Sequence, residues 1–194
     1  MPGDGPRAVA PVDELPDPPL PDPDPSQEWW DPAAMTEGAL VHPVRDGRML
    51  LIEKKRGVGA GNLIGPGGKL EPGERPAEAG IREVREETGV RIHDLELVGV
   101  LEFVFGEEPF MRPHVFVARE FSGTPRESDE GIPEWHDVDA LPYDRMWDDD
   151  RYWFPYMLAG EPFRARFRFD ADGDRMLAGE VETDVEFPSP PRPE

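Results

Sequence analysis

Three glutamates, Glu83, Glu86 and Glu87, are spaced so that a helix would bring their carboxylates to one side. Residues three or four apart on a helix are neighbours, and like charges there repel by a few tenths of a kcal/mol per pair. A bound Mg²⁺ would remove this repulsion, because it prefers hard oxygen ligands. A solvated acidic helix face is the alternative for any one pair. The spacing by itself is compatible with a divalent-cation site, and the pattern of the whole segment must decide between the two explanations.

The segments before this helix carry groups suited to phosphate. Gly67 and Gly68 let the backbone approach a metal ion or a phosphate closely, because they have no Cβ. Lys54 and Lys69 carry charges that can hold phosphate oxygens. Arg82, within the helix, can offset the repulsion between the carboxylates and orient them. Together these residues favour chemistry on a polyphosphate.

The complete pattern resembles the signature of the Nudix hydrolases. All nine specified positions of that signature are present: Gly68, Glu74, Arg82, Glu83, Val84, Glu86, Glu87, Gly89 and Val90. The resemblance implies an α+β fold, with a mixed sheet sandwiched between helices, and pyrophosphohydrolase chemistry with Mg²⁺ as cofactor and Mn²⁺ as a possible substitute. It also implies that Glu83 and Glu87 are metal ligands, that Glu86 supports them, and that the Gly67 carbonyl completes the site. Glu74 just precedes the helix, where a carboxylate is favoured by the helix dipole.

The resemblance extends well beyond the signature. The segments EKKRGVGAG, GPGGK, HVFVA, GTPRESDE, MWDDDRYWFP and FRARFRF are similar to those of animal Nudix enzymes that act on oxidised purine nucleoside triphosphates. The resemblance implies hydrolysis to a nucleoside monophosphate and pyrophosphate, in sanitation of the nucleotide pool. Glu130 falls where these enzymes place a further carboxylate, so the general base is either Glu130 or one of the helix glutamates.

The same resemblance predicts a pocket for the nucleobase. Phe103, Trp147 and Trp153 would wall it, with Lys54 beside them. Asp149 and Asp150 would bond the purine edge, one of them protonated by burial beside another carboxylate. The alternative for three adjacent aspartates is a solvated loop.

One position departs from the resembled enzymes. Ile64 stands where they have a base-binding asparagine, and isoleucine cannot form a hydrogen bond. Loss of such an anchor costs about 1–3 kcal/mol, which predicts a looser or shifted base preference. Two alternatives stay open: a Nudix enzyme acting on ADP-ribose, a dinucleoside polyphosphate or a nucleotide sugar, and a non-catalytic nucleotide-sensing module.

The elements that must position these residues alternate between strands and helices. The helix at 76–88 begins with proline in its first turn and ends at Gly89; its face of Ala77, Ile81, Val84 and Thr88 is predicted to pack on the sheet. A second helix is predicted at 151–159. Strands are predicted at 39–44, 49–53, 95–105, 114–121 and 132–136, and a final hairpin at 163–169 and 176–187.

Two further patterns have plain explanations. FRARFRF, residues 163–169, alternates arginine with apolar residues; it is either a nucleic-acid surface or, as we expect, an edge strand with one packed face. The four histidines lack metal-binding spacing, and we expect each of them, His42 included, to be an ordinary strand or loop residue.

Composition limits the partners of the chain. With 42 acidic and 21 basic residues among 194, the net charge of −21 argues against a nucleic-acid partner. No apolar run is long enough to span a bilayer, no secretory signal is evident and cysteine is absent, so we expect a cytoplasmic monomer with a small-molecule nucleotide substrate. Only three lysines accompany this acidity, which suggests a halophilic source.

A single hydrolase domain is predicted at 36–187, between disordered tails at 1–35, rich in proline and aspartate, and at 188–194.

Overall fold

The computed structural model describes residues 19–21 and 31–188. The predicted tails, with Trp29 and Trp30, lie largely outside these residues. At 19–21, Leu20 packs against the core, and the Gly179 amide donates a hydrogen bond of 3.1 Å to the carbonyl of Pro21.

The described chain forms eleven strands and two α-helices. They are β1 (Thr36–Arg45), β2 (Arg48–Lys54), β3 (Leu63–Ile64), β4 (Gly67–Lys69), α1 (Pro76–Thr88), β5 (Arg91–Ile92), β6 (Glu96–Phe105), β7 (Glu108–Ala118), β8 (Phe121–Ser122), β9 (Gly131–Asp137), α2 (Asp150–Ala159), β10 (Phe163–Phe169) and β11 (Met176–Glu182). Single 3-10 turns lie at Pro32–Ala34 and Tyr143–Arg145. Neither described helix is long and apolar enough to cross a membrane.

The sheet is mixed, as predicted. Its strands follow the order β11-β10-β6-β7-β1-β2-β3, with β4 paired to β1 and β9 paired to β2. The pairs β1–β7 and β6–β10 are parallel, and the other pairs in the sheet are antiparallel. The prediction that residues 163–169 form an edge strand is wrong, because β10 lies between β6 and β11.

Helices cover the two faces of the sheet. On one face Trp153, Phe154 and Met157 of α2 pack into the larger core cluster, and on the other Ala79 and Val84 of α1 pack into a second cluster. This arrangement confirms the predicted α+β sandwich.

Helix α1 begins and ends as its sequence predicts. The Arg75 amide donates to the Glu78 carboxylate at 2.9 Å, Pro76 occupies the first turn, and Gly89 ends the helix with a left-handed φ of 77°. The predicted packed face is wrong in one respect, since Ile81 is 41% exposed. The buried face is centred instead on Gly80, where a Cβ would lie 2.7 Å from Val41 Cγ2. This close approach to β1 turns the following glutamates toward β4.

Candidate active site

Two glutamates of α1 lie directly against the glycines of β4. The Gly67 amide donates a 2.9 Å hydrogen bond to Oε2 of Glu87, which is only 7% exposed. A Cβ on Gly68 would lie 2.6 Å from Cδ of Glu83. A glycine at position 68 is therefore needed for Glu83 to reach the strand, whereas a Cβ at position 67 would meet the Ala39 carbonyl of β1.

Arg82 donates hydrogen bonds to three carboxylates of the motif. Its guanidinium donates to Glu74 at 2.8 and 2.9 Å, to Glu83 at 2.7 Å and to Glu86 at 3.2 Å, and also to the Lys69 carbonyl at 3.1 Å. The hydrogen bonds from Arg82 are the main reason why the pKa of Glu74 falls to about 2. Arg82 and Glu74 thus tie the loop after β4 to the helix.

The ionised form of Glu87 is unfavourable in the metal-free protein. Burial raises the pKa of Glu87 to about 8, and the charges of Glu83 and Glu130 act in the same direction. The hydrogen bond from Gly67 and the charge of Lys54 oppose this rise without cancelling it. Burial also raises the pKa of Glu83. A divalent cation would relieve this strain, because it favours the ionised carboxylates that bind it.

Glu130 approaches the same cluster from the loop before β9. Its carboxylate bonds the Arg56 guanidinium, which lowers the pKa of Glu130. Lys55 anchors this loop by donating to the Ser128 carbonyl at 2.6 Å. Across residues 19–21 and 31–188, no three acidic or histidine side chains stand ready-arranged around a metal position. The arginine bonds explain this: Glu83 and Glu86 are held by Arg82, and Glu130 by Arg56.

A cavity of about 350 Å³ opens beside the glutamates. It contains all eight residues predicted to bind substrate: Lys54, Ile64, Lys69, Phe103, Trp147, Asp149, Asp150 and Trp153. Gly67 and Gly68 form part of its wall, so the cavity and the carboxylate cluster share the backbone of β4. A flat group bound in the cavity would direct an attached phosphate chain toward Glu83 and Glu87.

The paired aspartates are buried at the start of α2. Asp149 and Asp150 are 1% and 5% exposed, so the solvated-loop alternative is wrong for both, whereas Asp148 is exposed. Trp153 Nε1 donates to Asp149 Oδ2 at 2.9 Å, and the Trp147 amide donates to Asp150 Oδ2 at 3.2 Å. Burial raises the pKa of Asp149 to about 7 and the pKa of Asp150 well above its ordinary value. The pair can therefore present a carboxyl donor beside a carboxylate acceptor at neutral pH.

The sequence analysis missed one polar residue of this cavity. His42 is fully buried on β1 and lines the cavity, and neither ring nitrogen forms a hydrogen bond of normal geometry within the described residues, although the Phe116 backbone interacts with the ring. The sequence pattern could have indicated this residue, because His42 lies between Leu40 and Val44 on the same face of a strand. Burial lowers the pKa of His42 to about 4, so its imidazole is neutral.

Comparisons with known proteins agree with this geometry. Residues 35–157 match the NUDIX domain. The chain is 45% identical over 131 residues to an oxidized purine nucleoside triphosphate hydrolase of Danio rerio, which covers 67% of this chain and 84% of the relative. It is 41% identical over 140 residues to the protein of that name from Mus musculus, which covers 72% and 89%. A crystal structure of a MutT protein from Bacillus halodurans superposes with a TM-score of 0.69 at 27% identity, over 76% of this chain and 97% of that one.

Proposed function

This chain belongs to the Nudix family of hydrolases, and we propose that it converts purine nucleoside triphosphates, oxidised ones included, to nucleoside monophosphate and pyrophosphate. The observation that carries the proposal is the backbone of β4, which joins the glutamates of α1, with Glu87 buried among them, to an aromatic cavity lined by two buried aspartates. The two relatives described above are named for oxidised purine nucleoside triphosphates, which supports this substrate class.

The donor set fits Mg²⁺, with Mn²⁺ as a substitute. Glu83 and Glu87 would be the principal ligands, with Glu86, Glu130 and the Gly67 carbonyl completing the set; all are hard oxygen donors. A divalent cation bound there supplies charge neutralisation to the polyphosphate and makes the attacking water more acidic. The unfavourable burial of ionised Glu87 supports this assignment, because a cation is the natural counter-charge.

The remaining polar groups would orient the triphosphate and move the proton. Lys54 and Lys69 line the cavity and would bind phosphate oxygens. The general base is Glu130 or one of the helix glutamates. Arg56 bonds Oε1 of Glu130 and lowers the pKa of this carboxyl, which makes Glu130 a weaker proton acceptor while the bond is in place.

The cavity would hold the base between aromatic rings. Phe103, Trp147 and Trp153 offer stacking surfaces, and the aspartate pair offers one donor and one acceptor for the Watson–Crick edge. Phe105 and Phe110 extend the aromatic wall, with ring centroids 4.5 Å apart. This arrangement favours a purine over a smaller base, because a larger ring fills more of the wall.

Ile64 is the observation that keeps a second substrate class in view. Its apolar side chain lines the cavity, and Val58 at the mouth is 45% exposed, so neither fixes the base by a hydrogen bond. A nucleoside diphosphate derivative, such as ADP-ribose or a dinucleoside polyphosphate, is the second candidate. The proposal also includes a cytoplasmic monomer and, from the excess of acidic residues over lysines, a halophilic source.

Chromatographic measurement of nucleoside monophosphate formation across a nucleotide panel tests the proposal. We expect Mg²⁺-dependent formation of the monophosphate, with an equal amount of pyrophosphate, from 8-oxo-dGTP, 2-oxo-dATP and dGTP, and little AMP from ADP-ribose or adenosine dinucleoside polyphosphates. Glu87→Gln should lose most of this activity while remaining folded. Faster cleavage of ADP-ribose than of any triphosphate would instead favour the second candidate.

A further inference from the structure

Three buried polar atoms in the wall of the cavity form no hydrogen bond of normal geometry within the described residues. They are Nδ1 and Nε2 of His42 and Oδ1 of Asp149. Buried polar groups are almost always hydrogen-bonded, and an unpaired one is costly to stability. These atoms therefore point to a polar group that the folded chain alone does not provide.

The three atoms belong to one connected wall. The His42 ring stands edge-on to the Trp153 indole, with centroids 5.7 Å apart and planes at 72°. Trp153 in turn donates its indole N–H to Oδ2 of Asp149, which leaves Oδ1 unpaired. Trp153 thus contacts both His42 and Asp149, and all three residues line the cavity.

Packing alone does not require a histidine at this position. Leu40 and Val44, two residues away on the same strand face, pack against the larger core cluster as ordinary apolar residues. The ring also fits closely beneath the β3–β4 connection, since a Cβ on Gly65 would lie 2.4 Å from Nε2. An aliphatic side chain could fill this space without the cost of two unpaired nitrogens.

We propose that His42 is a specificity-determining residue, whose imidazole hydrogen-bonds a polar group of the nucleobase bound in the cavity. This inference rests on the proposed function. A neutral imidazole carries one N–H donor and one acceptor nitrogen, so it can distinguish a carbonyl from an amino group at the same place on a purine. His42 therefore offers the base a hydrogen-bonding group from β1, which the apolar side chain of Ile64 cannot offer.

Substitutions at His42 test this assignment by selectivity. His42→Leu should raise Tm, because it removes unpaired buried nitrogens, and should reduce the preference among 8-oxo-dGTP, 2-oxo-dATP and dGTP about tenfold through KM. The kcat should be retained, because the carboxylate cluster is untouched. His42→Gln should restore the preference if Nε2 makes the bond, and His42→Asn should restore it if Nδ1 does. Val44→Ile is the matched control, since Val44 shares the strand face but does not line the cavity.

Calorimetric titration with dGMP and 8-oxo-dGMP, without metal, separates this inference from the proposed function. If the wild-type protein cleaves no triphosphate in the panel, the proposed function fails, while the effect of His42→Leu on monophosphate binding still decides the role of His42. The inference is overturned if His42→Leu binds and cleaves with the wild-type preference. It is also overturned if all bases weaken equally, because His42 would then set only the shape of the cavity.

Discussion

Replacing Glu87 by glutamine should make the metal-free protein more stable at alkaline pH. Burial, reinforced by the charges of Glu83 and Glu130, raises the pKa of Glu87 from an ordinary 4.5 to about 8. At 1.36 kcal/mol per pH unit, this difference corresponds to a cost on the order of 5 kcal/mol once the group is ionised. Glutamine keeps an oxygen that can accept the Gly67 hydrogen bond, and it carries no charge to bury.

The pH dependence follows from the direction of this shift. Below pH 4.5 the Glu87 carboxyl is protonated in both the folded and the unfolded chain, so it adds no cost. Between pH 4.5 and about 8 the unfolded chain gives up its proton first, and the free energy of unfolding falls as the pH rises. Above about pH 8 the whole cost is present, and there Glu87→Gln should gain most over the wild-type protein.

Urea unfolding followed by circular dichroism, with a chelator present, measures this gain. The free energy of unfolding should fall more steeply for the wild type than for Glu87→Gln between about pH 5 and about pH 9. Glu86→Gln is the matched control, because the Glu86 side chain is 58% exposed and its removal deletes a charge without relieving burial. If the wild type and Glu87→Gln lose stability in parallel, the claim that burial disfavours the ionised form of Glu87 is refuted.

Four further predictions concern other parts of the site. Burial lowers the pKa of His42 from 6.5 to about 4, so the wild type should lose about 3 kcal/mol more stability than His42→Leu as the pH falls through that range; acid titration of unfolding for both proteins measures the difference. Gly68→Ala should keep the fold but weaken Mn²⁺ binding in calorimetry, since its Cβ would displace the flexible end of Glu83. Gly67→Ala should instead lower Tm, because its Cβ would lie 2.1 Å from the Ala39 carbonyl oxygen. Ile64→Asn should raise kcat/KM for 8-oxo-dGTP relative to dGTP about tenfold by adding a hydrogen bond, and an unchanged ratio would show that this position does not read the base.

The parts of the site that depend on local spacing could be predicted from the sequence. Glu83, Glu86 and Glu87 share a helix side because of helical periodicity, and Gly89 ends that helix because it tolerates a positive φ. The resemblance to Nudix enzymes predicted that residues far apart in the sequence, such as Phe103 and Asp149, belong to one pocket. The structure brings these into one cavity.

The parts that depend on tertiary packing could not be predicted in this way. Ile81 was assigned to the buried face, but the close approach at Gly80 rotates the helix so that Glu87 faces β4 and Ile81 faces solvent. The local sequence pattern also does not determine the order of the strands in a sheet. For this reason the interior position of β10 was not predicted. Whether the nitrogens of His42 form well-aligned hydrogen bonds depends on every neighbouring element, so only the folded chain shows that they do not.

The central claim is that carboxylates of α1, gathered against β4, direct hydrolysis of a triphosphate bound in the adjoining cavity. Phosphorus NMR of the products formed from 8-oxo-dGTP and from dGTP tests it most directly. With Mg²⁺, the spectra should show nucleoside monophosphate and pyrophosphate in equal amounts, and with a chelator or with Glu87→Gln they should show almost no turnover. Release of orthophosphate with a nucleoside diphosphate, or turnover that persists in the chelator, would contradict the account.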